Sequence, residues 1–328
     1  MNWVDGRVVL ELGYKCNHHC LYCKHNDKYP ARSHLPDMSV FDLELICDSL
    51  IESMTSSNQQ LYLQLTGGEP TIYSELFDTA MKKFLNSPSR LSFGVNTNLT
   101  GDVDRLIYWS QRRPFHLCIS LPSLDESIYE ATTRVKGSYS RFMTNLEKCF
   151  LSGISPNWIT FNIVVTKLNE SLTPKVVEDL ASIGITCIGL TEVMNGIYNE
   201  PLSPDNFDLC RKTSQALVDK YQIKLSKSYK CVAVCEGIRE RSWCTLPNSF
   251  TLRIQSDGEV FPCSCGIHQP MLGHLPHDSL QTILERRSIY FDQKIKPESC
   301  CENWGKICYA KCKDNQPNLV TDFIKQFS

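Results

Sequence analysis

From residue 8 to about residue 195 the chain alternates short aliphatic, β-branched runs with stretches whose apolar positions recur at helical spacing. Val8 to Leu12 reads as a strand. Ser39 is placed to cap a helix whose Phe41, Leu45, Ile46 and Ile51 mark an inward face. Leu61 to Leu65 alternates and stops at paired glycines, as a half-buried strand does. The pattern then gives a helix at Leu76 to Phe84 and strands at Leu91 to Val95 and His116 to Leu121. A helix at Phe142 to Leu151, a strand at Ile159 to Val165, a helix at Val176 to Ile183 and a strand at Thr186 to Leu190 complete the series. Six β-α units in a row predict an α/β fold with a parallel sheet, curved into a partial (β/α)6 TIM-like barrel over residues 1–196. Chemistry in such sheets collects at the C-terminal strand ends.

The pattern changes after about residue 195. Residues 197–230 read as a linker and a helix around Cys210 to Tyr221. Residues 231–328 form a small cysteine-rich domain with little helical periodicity. One hairpin is legible there: Phe250 to Ile254 and Glu259 to Phe261 flank Asp257-Gly258, a strong turn signal.

Composition narrows the function classes. The 34 Lys+Arg nearly balance the 36 Asp+Glu, so there is no global electrostatic footprint for nucleic acid or an anionic membrane. Met1 to Arg7 lacks the apolar core of a signal peptide, and no apolar run reaches the roughly 18 residues of a spanning helix. A cytoplasmic protein is expected, with neither nucleic acid nor membrane as partner. The 17 cysteines in a large, unsignalled chain then point to metal ligation rather than disulfides. Cys47, Cys118, Cys149, Cys187 and Cys210 sit singly in apolar segments and read as small core residues. The other twelve fall in an N-terminal cluster and a group from Cys231 to Cys312.

The N-terminal cluster is Cys16-Asn-His-His-Cys20-Leu-Tyr22-Cys23, a C-x3-C-x2-C loop directly after the first strand. Three thiolates on one loop hold three irons of a [4Fe–4S] cube and leave the fourth open. Zinc is the rival, since His18, His19 and His25 are near and Cys3His is a good tetrahedral set. Spacing alone favours iron–sulfur.

This loop resembles the signature of the radical S-adenosylmethionine (SAM) superfamily, and so does Thr66-Gly67-Gly68-Glu69-Pro70 at the end of the second strand, which looks like the family's GGEP motif. The resemblance implies that the glycine backbone and Glu69 hold the amino group of SAM's methionine. Asn96-Thr97-Asn98 is similar to a Thr-Asn-Gly of relatives, with Leu99 in place of the glycine. Ile119-Ser120-Leu121 resembles the family's I-S-L-D-G, from which Pro122-Ser123 departs. On that likeness Ser120 contacts the SAM ribose, and Arg134, or alternatively Arg141, pairs with its carboxylate. Tyr22 and Asn98 join the cofactor-binding set.

The C-terminal segment Cys244…Gly258-Glu-Val-Phe-Pro-Cys263 resembles the opening of a SPASM or twitch auxiliary-cluster domain, and Cys308-x3-Cys312 fits its close. The hairpin brings Cys244 and Cys263 within reach of one ion or cluster. Carried over by position, Cys244, Cys263 and Cys312 ligate a first auxiliary cluster, with Cys235 as a possible fourth ligand. Cys300, Cys301 and Cys308, with Cys265 as a substitute, supply a second. Their spacing departs from the family's, so one auxiliary cluster remains an alternative to two. A zinc-stabilised subdomain is the rival.

The resemblance implies reductive cleavage of SAM to a 5′-deoxyadenosyl radical and hydrogen-atom abstraction, with a flavodoxin- or ferredoxin-type reductant. A peptide or protein substrate is expected, as for relatives that crosslink, epimerise or oxidise peptides. Little chain precedes the first strand, so any leader is expected to need another docking surface or a separate protein. Cys231 is a candidate hydrogen-atom donor. The alternatives are a dehydrogenase of a small molecule such as an amino sugar or cyclitol, and a non-catalytic zinc-binding interaction module.

Overall fold

The computed structural model describes residues 6–23, 35–56, 61–88, 91–192, 213–214, 217, 220–221, 224–225, 250–262 and 271–294. The fold is mixed α/β with parallel strand pairing, as the alternating pattern predicts. The chain forms two compact units: Met1–Tyr14, Leu35–Gly94 and Ala233–Ser328 in the first, and Lys15–His34 with Val95–Val232 in the second.

In the first unit, β1 (Gly6–Glu11) lies between two parallel neighbours. One is β2 (Leu61–Thr66), in register from Gly6↔Leu61 to Glu11↔Thr66. The other is β8 (Phe250–Ile254), from Gly6↔Phe250 to Leu10↔Ile254. Flanked on both edges, β1 buries both faces: Val8, Val9 and Leu10 are at most 5% exposed, which accounts for its unbroken apolar run. The expected hairpin is present. β8 and β9 (Glu259–Phe261) pair antiparallel around Gly258, whose φ of 89° suits glycine. A short β10 (Gly273–His274) extends it antiparallel to β9.

Two helices of this unit differ from expectation in instructive ways. In α1 (Val40–Ser56), Ser39 Oγ accepts the Asp42 amide at 3.0 Å and donates to the Asp42 carboxylate at 2.7 Å, as its cap position predicts. The buried face is Leu43, Ile46, Cys47 and Leu50, while Phe41 is 68% exposed, so the inward stripe is rotated from the one the sequence suggests. α2 (Ser74–Leu85) buries Leu76, Phe77, Ala80, Met81 and Phe84. The cysteine-rich tail also holds a helix, α7 (Leu280–Lys294), that its weak periodicity did not signal. Ile283 and Leu284 are fully buried, and Arg287 Nε donates to the Thr251 carbonyl of β8 at 3.2 Å.

β3 (Leu91–Thr97) runs from the first unit into the second. The second unit holds β4 (His116–Ser120), β5 (Ile159–Val165), β6 (Cys187–Glu192) and β7 (Lys224–Leu225), paired parallel in that order. Its helices are α3 (Val103–Ser110), α4 (Glu126–Thr133), α5 (Ser138–Leu151) and α6 (Thr173–Ser182). The short α3 and α4 were not apparent in the pattern; Asp102 and Asp125 cap them by accepting the Arg105 and Ile128 amides. Of the single cysteines, Cys47, Cys118 and Cys149 are buried, Cys187 is half-buried, and Cys210 lies outside the described residues. Burial pushes the Cys47 and Cys149 thiols up to about 12, so they remain inert thiols. Among the described residues no helix is long and apolar enough to cross a membrane.

Candidate functional site

The backbone of the three-cysteine loop is held by the helix it caps. His19 N donates to Thr133 O and Leu21 N to Thr132 O, both at 3.0 Å. These carbonyls end α4 and have no further turn to satisfy them, so loop and helix each supply what the other lacks. Arg134 follows in the left-handed conformation, with φ 58°, and its Nε donates to the His19 carbonyl. Cys23 N donates to Cys20 O at 3.1 Å, closing a single turn between those two cysteines.

The electrostatics of the loop suit a bound cation. Burial raises the Cys20 thiol well above its usual value, and the neighbouring Cys23 and Cys16 thiols raise it further. Iron that takes the thiolate removes the cost that burial and the Cys23 and Cys16 sulfurs place on ionising Cys20, so the donor set fits an iron–sulfur cluster. Among the described residues no three His, Cys, Asp or Glu side chains converge on a single-ion site. A cube distributes its thiolates over three irons and does not require that convergence. The Tyr22 phenol is also held well above its usual value, by burial first and Cys20 next.

Around Cys16 a polar network joins the loop to the end of β3. Asn98 Nδ2 lies 3.7 Å from Cys16 Sγ and 2.7 Å from Asn17 Oδ1. Asn98 Oδ1 accepts the Thr100 amide and hydroxyl, each at 2.8 Å. Asn17 Nδ2 reaches Thr100 O at 3.1 Å and Thr100 Oγ1 at 3.0 Å, and His18 Nε2 lies 2.9 Å from the same hydroxyl. His18 is 7% exposed, and burial followed by the charges of Arg141 and His19 lowers it to about 4. With Nε2 engaged by Thr100, His18 serves the loop's architecture. His19 is exposed and His25 lies outside the described residues.

The Gly-Gly-Glu-Pro turn belongs to the first unit. Gly68 N donates to Gly13 O at 2.8 Å, three residues before Cys16 in the chain. Gly67 has φ 135°, and a Cβ there would run into the Gly13 carbonyl. Thr66 ends β2, and its carbonyl accepts the Leu12 amide at 3.0 Å. Glu69 is 1% exposed; its Oε1 accepts the Thr71 amide at 3.2 Å and hydroxyl at 2.8 Å, capping the 3-10 turn that Pro70 opens. Gly13 was missed by sequence reasoning, although a glycine just ahead of a cysteine loop is a signal of close backbone approach.

Ser120 ends β4 opposite Asn162, whose Oδ1 accepts the Thr191 hydroxyl at 3.0 Å. Asn162 and Thr191 are polar positions in largely apolar strands, and neither was singled out. Arg141 lies in the first turn of α5 and is exposed. The proposed auxiliary ligands Cys235, Cys244, Cys263, Cys265, Cys300, Cys301, Cys308 and Cys312, and also Cys231, lie outside the described residues.

The radical SAM superfamily model matches residues 10–180, just over half of the 328-residue chain. No curated protein matches the sequence. The fold is similar to that of native anSMEcpe with bound AdoMet and Cp18Cys peptide, with a TM-score of 0.68 and 18% identity over 98% of this chain and 95% of that one. It is similar to Streptococcus suis SuiB bound to S-adenosylmethionine, with a TM-score of 0.66 and 15% identity over 93% of this chain and 72% of that one. SuiB bound to precursor peptide SuiA gives a TM-score of 0.65 and 14% identity over 88% and 65%. At such identities the likeness is one of fold. The family match spans both the cysteine loop and the Gly-Gly-Glu-Pro turn, and the chain belongs to the radical SAM superfamily.

Proposed function

We propose that the protein cleaves S-adenosylmethionine reductively at a cluster held by Cys16, Cys20 and Cys23, and uses the product to abstract hydrogen from a peptide or protein. The observation that carries the first half is the set of three half-buried cysteines on a loop pinned to α4. When bound, the cluster and SAM supply an electron and a 5′-deoxyadenosyl radical strong enough to break an unactivated C–H bond. The chain's own task is to hold and orient. Cys16, Cys20 and Cys23 would each take one iron, leaving the fourth for SAM's amino and carboxylate groups. Gly67, Gly68 and Glu69 would receive the methionine end, with Thr66 and Pro70 setting the turn, and Ser120 the ribose. Arg134 gives one N–H to His19, and a guanidinium has four more to offer a carboxylate.

The peptide substrate is supported by the fold's similarity to proteins solved with Cp18Cys and SuiA peptides bound. Residues 231–328 would form the auxiliary domain, with Cys244, Cys263 and Cys312 on one cluster and Cys300, Cys301 and Cys308 on a second. A flavodoxin or ferredoxin would reduce the enzyme.

The test is anaerobic reconstitution with iron and sulfide, followed by SAM and dithionite. The wild type should release 5′-deoxyadenosine, and Cys20→Ala should fall to background while keeping iron bound by the tail. An iron-loaded wild type that releases none refutes the proposal. With 5′-deoxyadenosine forming, a mass change in candidate precursor peptides, rather than in cyclitols or amino sugars, would establish the substrate class.

A further inference from the structure

We infer that Asn98 is a positioning residue that raises the electron affinity of a cluster bound through Cys16, by donating a side-chain N–H to the Cys16 sulfur. The inference rests on the radical SAM reading and deepens it, because it gives Asn98 a role toward the cluster rather than toward SAM.

The proton positions follow from the acceptor-only and donor-only groups of the network. The Thr100 amide can only donate, so the atom of Asn98 facing it at 2.8 Å must be the amide oxygen. That turns the Asn98 NH2 toward Cys16 Sγ and Asn17 Oδ1. The assignment has an independent check. The Thr100 carbonyl can only accept, so Asn17 presents NH2 to it and its own oxygen to Asn98, which again demands the Asn98 NH2 at that point. The Thr100 hydroxyl then donates to Asn98 Oδ1 and accepts from Asn17, and His18 must carry its proton on Nε2 to fill the remaining lone pair. Asn98 thereby uses both donors and both acceptor positions, one donor being spent on sulfur.

The His18 backbone amide at 3.4 Å and the Asn98 side chain at 3.7 Å both direct an N–H at Cys16 Sγ. Hydrogen bonds to a ligating thiolate withdraw electron density from it and favour the more negative, reduced cluster. The backbone donor is fixed by the loop. Asn98 is the donor that substitution can remove. Leu99, held at φ 59° between Asn98 and Thr100, gives the turn that lets both side chains meet the loop at residues 16–18.

The experiment is an EPR-monitored redox titration of reconstituted wild type, Asn98→Asp, Asn98→Ala and Thr100→Val, with iron content measured for each. Asn98→Asp keeps the acceptor for Thr100 but loses the N–H and adds charge. Its reduced-to-oxidised ratio at a fixed potential should fall at least tenfold, about 59 mV for a one-electron couple. Asn98→Ala should shift the same way by less. Thr100→Val weakens the network yet spares the N–H on sulfur, so it should lower thermal stability and leave the potential in place. A second readout uses the wild type alone: with 15N-asparagine incorporated, ENDOR of the reduced cluster should show a nitrogen coupling. An unshifted potential in iron-loaded Asn98 variants, or no 15N coupling, overturns the inference. A wild type that takes up no iron overturns instead the functional reading beneath it.

Discussion

The Gly68 amide donates to the Gly13 carbonyl at 2.8 Å, and Gly67 beside it has no room for a side chain against the same carbonyl. The turn that ends β2 is thus fastened, backbone to backbone, to the chain three residues before Cys16. Gly67→Ala should therefore cost about 2–3 kcal/mol, from both strain at φ 135° and the displaced carbonyl. Gly184→Ala is the control: φ is 87° there, but a Cβ meets nothing within 4 Å, so only the strain of about 1–2 kcal/mol applies. Thermal unfolding of the two variants should rank them in that order. Gly67→Ala should also retain less iron after reconstitution.

Leu99 occupies a left-handed position where glycine is the usual residue, yet its side chain is only 1% exposed. The conformation costs about 1–2 kcal/mol, and burial of the side chain offsets it. Leu99→Ala loses the burial and keeps the strain, so it should be destabilised by about 2–4 kcal/mol. Leu99→Gly loses the same burial but relieves the strain, and should be about 1 kcal/mol more stable than Leu99→Ala. Chemical denaturation midpoints decide it; the usual order of alanine above glycine would contradict the account.

These contacts show what a sequence discloses and what it conceals. The Ser39 cap, the Asp257-Gly258 turn and the three-cysteine loop are legible because their partners lie within a few residues of one another. The rotated face of α1 was misread because Phe41 lies in the first turn, where a large side chain can point to solvent. The pairing of β8 with β1 joins residues about 240 positions apart, and no local pattern announces it. The same holds for the site. Asn98 was visible as part of an Asn-Thr-Asn signal, but its bonds to Cys16 and Asn17 span more than 80 residues. Gly13, Asn162 and Thr191 matter through neighbours that only the folded chain supplies.

Arg134 offers a way to separate two roles. Its Nε contact with the His19 carbonyl exists without any ligand, whereas pairing with a SAM carboxylate requires only a charge of the right reach. Arg134→Lys keeps the charge and loses Nε, so the cysteine loop should loosen even in the iron-free protein. Faster amide hydrogen exchange at His19 and Leu21 would report that loosening. SAM affinity in the reconstituted enzyme should fall less in Arg134→Lys than in Arg134→Ala. Equal exchange rates in wild type and Arg134→Lys would show that the His19 contact does not hold the loop.

His116 gives the fold an acid-sensitive point outside the three-cysteine loop. Its Nε2 lies 2.6 Å from the Thr160 hydroxyl, and burial lowers it from 6.5 to about 4. Below pH 6.5 the unfolded chain takes up a proton at this ring while the folded protein does not. Stability contributed by the neutral ring is therefore intact above about pH 6.5 and is lost as pH falls toward 4. The loss attributable to His116 is at most about 3 kcal/mol, reduced by its partial exposure to solvent. His116→Gln keeps a hydrogen-bonding group beside Thr160 and removes the titration. Its unfolding free energy should fall less between pH 7 and pH 5 than that of the wild type, measured in parallel denaturant titrations. Identical slopes would mean that the ring takes up its proton equally in the folded and unfolded states, which its burial beside Thr160 opposes.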